Sequence, residues 1–155
     1  MLTILVISMG GMIRIYDAGE SCPDWPTCFG TWGFDISEEE QGEWWEENPD
    51  EADSRGSGHR YSSFQIFTEW FHRLLAGAFV GPLVILNWLL IRKEAWTSSR
   101  VRGVSSLTLG LILWQGAIGW LTVKMDNENW SVAIHLGSAM ALSLIHISEP
   151  TRPLS

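Results

Sequence analysis

The 155 residues are one domain's worth of chain, and a 46% hydrophobic content is ordinary for a soluble protein. The distribution is not ordinary: 13 of the 18 Asp and Glu lie between Asp17 and Asp53, so the net charge of −8 belongs mainly to one loop and says little about partners. No Lys/Arg cluster is interleaved with exposed aromatics, which leaves nucleic-acid binding without support.

In chain order, Leu2 to Ile15 is apolar apart from Arg14 and falls short of the roughly 20 residues that cross a bilayer. It lacks the basic start and small-residue cleavage site of a signal peptide. We read it as the second half of a first membrane helix whose beginning is missing or lies upstream. Gly10-Gly11 would let a neighbouring helix approach closely. Asp17 to Ser63 follows as a loop outside the membrane. Its first part, Gly19 to Gly30, is dense in Gly, Pro, Trp and Cys, and Cys22 and Cys28 enclose two prolines that favour a tight, pre-bent turn. Its second part, Asp35 to Ser63, is acidic and polar and reads as a mobile, solvated spacer, with His59 exposed to solvent.

Three hydrophobic stretches come next, which makes the expected fold an all-α membrane bundle of four helices, about 1–15, 66–91, 104–123 and 130–141, with an external loop over 16–65. The second helix carries Gly77-Ala-Phe-Val-Gly81, a small-xxx-small packing pattern, and Pro82, which predicts a kink. The third carries Gly110, Gly116 and Gly119 as packing glycines. Several tryptophans (Trp70, Trp88, Trp96, Trp120, Trp130) fall at or near span ends, where interfacial aromatics collect. Arg92, Lys93, Arg100 and Arg102 crowd the connection after the second span against Glu94 alone. The positive-inside rule puts that connection in the cytoplasm, and the cysteine loop and the Lys124–Asn129 turn outside. An outside location permits a Cys22–Cys28 disulfide.

Leu142-Ser-Leu-Ile-His-Ile-Ser-Glu-Pro-Thr-Arg152 reads as a translated sequencing adapter. Residues 142–155 are therefore treated as an assembly artefact, and His146 is given no function.

The chemistry gathers at Phe67-Thr-Glu-Trp-Phe-His-Arg73, where Glu69, His72 and Arg73 open an apolar run and the helical repeat places all three on about one face. Ionisable groups at a span edge usually face a bundle interior. The alternative is an interfacial anchor in which Arg73 and Trp70 snorkel to headgroups. His72 and His135 lie early in two spans that enter from the same side. They therefore sit at matched depth, an arrangement suited to axial ligation of a haem. Packing histidines remain the other reading.

Together, Gly10-Gly11-Met-Ile-Arg14, the loop Gly19-x-Ser-Cys-Pro-Asp-Trp-Pro-x-Cys-x-Gly30, Glu69-x-x-His72-Arg73, Gly119-x-x-Thr-Val123 and Ala133-Ile-His-Leu136 resemble the haem A synthase family. The resemblance implies oxidation of the C8 methyl of haem O to a formyl group, yielding haem A for terminal oxidases. It implies His72 and His135 as axial iron ligands, with Arg73 in the haem-binding set and Glu69 as the catalytic glutamate. Ion pairing with Arg73 is the structural alternative for Glu69. Cys22 and Cys28 match the family's external cysteine pair. The resemblance also implies haem O as substrate, the bilayer, an unidentified electron donor, and haem O synthase or a second copy as partner, in a prokaryotic cell membrane. Two features depart from the family. It commonly has eight spans, with a haem b in a second half that is not seen here, and the acidic insert Asp35–Asp53 has no counterpart. A membrane haem b electron carrier and a haem-free anchor are the competing readings.

Overall fold

The computed structural model describes residues 2–51 and 54–148, with side chains described to residue 143 in the last helix. The described residues are helical throughout apart from loops and one isolated bridge, with no strand among them. The elements are α1 (Leu2–Ile15), α2 (Glu38–Glu47), a single 3₁₀ turn (Pro49–Glu51), α3 (Ser63–Leu74), a π-helical segment (Leu75–Val80), α4 (Gly81–Lys93), α5 (Ser99–Lys124) and α6 (Asn129–Ser148). Two helical stretches are long and apolar enough to cross a membrane: Ser63–Lys93, which joins α3, the π segment and α4, and Ser99–Lys124. α6 also extends past the expected 130–141, so residues 142–148 of the suspected adapter stretch are helical; its remainder, 149–155, and the side chain of His146 lie outside the described residues.

Local sequence explains where the helices start. Ser62 caps α3 with a full capping box: its hydroxyl accepts from the Gln65 N–H, and the Gln65 side chain accepts from the Ser62 N–H. The Gln65 amide also reaches back to the Tyr16 carbonyl at 3.1 Å, tying the end of α1 to the start of α3. Ser98 caps α5 in the simpler way, accepting from Val101. At Pro82 the helix does not stop. The proline ring crowds the carbonyl four residues back and donates nothing to it. The turn before it widens to π register, with the Gly81 N–H bonded to the Ala76 carbonyl.

α1 packs against α3 and α6, α4 against α5, and α5 against α6. The spans bury little within the chain, and Leu83, Leu86, Leu90, Leu107, Leu113 and Leu136 all face outward. The buried core lies instead in the cap formed by the long loop. Cys22, Cys28, Phe29, Ile36, Trp45, Tyr61 and Ile66 make one cluster, with Trp44 and Trp70 packed on its margin.

This cap corrects the expectation of a solvated acidic spacer. Glu38–Glu47 is a helix started by a second capping box, Ser37 with Glu40. It buries Gln41 and Trp45 and turns its glutamates outward. Gln41 closes the cap by accepting from the Tyr61 N–H at 2.8 Å and donating to the Tyr61 carbonyl at 3.0 Å. His59, expected in solvent, is half-buried and meets the Tyr61 ring edge-on at 4.6 Å. The packing glycines also need correction. Gly77, Gly110 and Gly116 border open space, and Gly81 meets only its own helix's carbonyl.

The turn between α5 and α6 docks onto the same cap. Asn127, with a left-handed φ of 53°, donates to the Gly19 carbonyl at 2.9 Å. A Cβ on Gly19 would lie 2.9 Å from the Asn127 amide nitrogen, so a side chain there would push the Asn127 amide out of this contact. The cysteine loop and the α5–α6 turn therefore share one end of the molecule.

Candidate functional site

Cys22 and Cys28 are joined in a disulfide with both residues buried. Phe29 and Gly30 both have positive φ and form the two central residues of a tight turn. That turn lets Cys28 and Thr31 exchange backbone hydrogen bonds of 2.9 and 3.1 Å. The Asp24 carboxylate accepts from the Thr27 hydroxyl and from the Gly30 N–H, bracing the loop from inside.

α3 holds this loop through Glu69 and Arg73. Glu69 Oε1 accepts from Arg73 Nη2, while Oε2 accepts from the Cys22 N–H at 2.9 Å and the Ser21 hydroxyl at 3.1 Å. Arg73 donates onward to the carbonyls of Cys22 (2.6 Å), Asp24 (2.5 Å) and Thr27 (3.3 Å). The two side chains form an i,i+4 ion pair of which little is exposed. The carboxylate and guanidinium thus point at the disulfide loop.

His72 points elsewhere, which corrects the single-face expectation. Neighbouring residues on a helix are about 100° apart, so the face holding Glu69 and Arg73 cannot also hold His72 squarely. Its imidazole turns toward α1, with Nδ1 3.1 Å from the Val6 carbonyl oxygen. Gly10, one turn after Val6, lies against the ring: a Cβ there would be in van der Waals contact with His72 Cε1 at 3.4 Å.

His135 is seated on α5 in the same manner. A Cβ on Gly119 would come within 3.1 Å of its Cε1 and 3.5 Å of its Nε2. Gln115, one turn earlier on α5, brings its amide to 3.1 Å from His135 Nδ1. Each histidine therefore lies on a glycine of a neighbouring helix, with a polar group one turn before that glycine at its Nδ1.

Two imidazoles supply two ligands, and an iron porphyrin brings its own four nitrogens, so this donor pair suits haem. At His72 the fit is direct. A carbonyl can only accept, so Nδ1 carries the hydrogen and Nε2 keeps its lone pair. The residues that sequence reasoning missed are Val6, Ser21 and Gln115. Val6 acts through its backbone carbonyl and gave no signal, whereas Ser21 stood in the loop motif without a role of its own. Gln115 did give one, as an amide in a 26-residue apolar helix four residues before Gly119.

The sequence profile of the COX15-CtaA family, cytochrome oxidase assembly proteins, matches residues 1–150. A heme A synthase of Shewanella oneidensis is 33% identical over 97% of this chain and 43% of its own length. A heme A synthase–mitochondrial ferredoxin fusion protein of Schizosaccharomyces pombe is 29% identical over 91% of this chain and 25% of its own. The human heme A synthase COX15 is 27% identical over 88% of this chain and 37% of its own. The chain thus spans less than half the length of these curated relatives. No solved structure matches it.

Proposed function

The chain belongs to the COX15-CtaA family of cytochrome oxidase assembly proteins, and on that footing we propose that it binds haem O within a membrane oxidoreductase that oxidises the C8 methyl to a formyl group, giving haem A. The observation that carries this reading is the matched seating of His72 and His135, each on a glycine with its Nδ1 beside a polar partner. In this reading the two imidazoles are the axial ligands of the substrate haem. α1, the Ser63–Lys93 helix, α5 and α6 form a four-span bundle. The Arg92–Arg102 connection is cytoplasmic and the disulfide cap extracytoplasmic. Haem supplies the redox-active iron when bound, and a haem b centre is assigned to the length of the relatives that this chain does not span.

Glu69 is the proposed acid–base group, carried on α3 just before His72 and held by Arg73 beneath the disulfide loop. The Ser21 hydroxyl supports this role. Its one proton faces three acceptors, the Ala18 carbonyl (2.8 Å), the Gln65 carbonyl (3.0 Å) and Glu69 Oε2 (3.1 Å). Turning that proton to either carbonyl leaves Oε2 free to take up a proton of its own. Haem O would arrive from the bilayer, from haem O synthase or through a second copy of the chain, with electrons from a separate donor.

The test is co-expression with a haem O source, followed by chromatography of the bound haem and measurement of haem per protein. Wild type is expected to carry haem O and haem A. Glu69→Ala is expected to keep much of its haem while haem A output stops or stalls at a partly oxidised product. Normal haem A from Glu69→Ala removes the catalytic role, and absence of haem from wild type removes the whole reading.

A further inference from the structure

We propose that Gln115 is a positioning residue that decides which His135 nitrogen is open to iron, and that it makes His135 the exchangeable axial ligand and His72 the fixed one. This rests on the haem-binding reading above.

The two histidine seats differ in one respect. The partner of His72 Nδ1 is the Val6 backbone carbonyl, which accepts only. The partner of His135 Nδ1 is a side-chain amide, which presents either an acceptor or a donor according to how it is turned.

Contacts at the other end of the Gln115 amide set its preferred orientation. That end lies 2.5 Å from the Ser138 hydroxyl and 2.8 Å from the Ala139 backbone nitrogen. An N–H cannot donate to an amide nitrogen, so this end is best satisfied as oxygen. The amide nitrogen then faces His135 Nδ1 at 3.1 Å and the His135 carbonyl at 3.3 Å, and donates to both. A donor at Nδ1 holds the lone pair there and leaves the hydrogen on Nε2. An imidazole in that tautomer cannot bind iron through Nε2.

Ligation needs the opposite arrangement: the amide turned so that its oxygen accepts from Nδ1–H, with the lone pair on Nε2. Ser138 accommodates the turn, because its hydroxyl can accept from the amide as well as donate to it and already reaches the Ile134 carbonyl at 2.7 Å. The Ala139 N–H and the His135 carbonyl then face like groups, which makes the turned state the costlier one. His135 therefore rearranges to take iron, whereas His72 does not. A haem that arrives as substrate and leaves as product requires one ligand that releases readily, and this contrast supplies it.

The experiment titrates the full chain in detergent with ferric haem b as probe. It records visible and electron paramagnetic resonance spectra, the midpoint potential, and the rate of haem transfer to apomyoglobin. Gln115→Glu accepts at both oxygens and locks Nδ1–H. It is expected to slow haem release by about 10–100-fold and lower the midpoint, and both changes should vanish in a His135→Ala background. Gln115→Met fits the apolar helix but neither donates nor accepts. It is expected to shift the spectrum toward high spin, and it decides the matter alone if the glutamate variant does not fold. Wild-type spectra, potential and release rate in the folded variants overturn the proposal. A wild type that binds no haem overturns the haem-binding reading instead, so the two failures are distinguishable.

Discussion

At the scale of single residues, Glu69 and Arg73 act as one unit. Nearly every polar atom of the pair is spent on the loop between Ser21 and Thr27 or on the partner side chain. Removing one partner leaves the other buried and uncompensated, a loss of about 3–5 kcal/mol in general. Thermal unfolding of Glu69→Ala, Arg73→Ala and the double variant is therefore expected to show the double losing far less than the sum of the singles. Additive losses would mean that the pair is not coupled. The i,i+4 spacing made this pair legible in sequence. Its targets were not legible, because backbone carbonyls of a loop about fifty positions away leave no mark in the residue types. The same holds for His72: its position in the helix could be read, but not the Val6 carbonyl that meets its Nδ1.

At the scale of elements, α2 shows how composition can mislead. The segment is rich in glutamate, yet Ser37-x-x-Glu40 is a helix-start signature, and Gln41 and Trp45 lie on the one face that packs into the cap. Reading the capping box before the charge would have found the helix. The Glu40 carboxylate is held below the usual glutamate range, first by the Ser37 backbone N–H and then by the Ser37 hydroxyl. A depressed folded value means that its contribution is present above the ordinary glutamate range and is lost as pH falls through the folded value. Hydrogen-exchange protection of the α2 amides should therefore decline on acidification into that window. Glu40→Gln, which removes the titrating group, should flatten the decline, and an unchanged pH response in that variant would contradict the role. The two long apolar helices, Ser63–Lys93 and Ser99–Lys124, were legible from hydropathy. The π segment was not: Pro82 signalled a disturbance but not its form, which depends on how the preceding carbonyls are re-partnered.

At the scale of the whole molecule, the apolar surfaces of the long helices face outward while the packed core sits in the cap at one end. The basic connection, with Arg92 over the Trp88 ring at 4.7 Å, separates α4 from α5, whereas the cap and the α5–α6 turn touch each other. A reporter fused after Lys93 is expected to read cytoplasm, and one within Glu38–Glu47 the opposite side. Reversed labelling would remove the proposed orientation and with it the oxidising location of Cys22 and Cys28. The central claim is that His72 and His135 together bind one haem. The most direct measurement is the low-temperature electron paramagnetic resonance spectrum of the chain loaded with one equivalent of ferric haem b, compared with His72→Ala and His135→Ala. The account predicts a low-spin, two-histidine signal in the wild type that turns high-spin or is lost in each variant; the same low-spin signal surviving in either variant would contradict it.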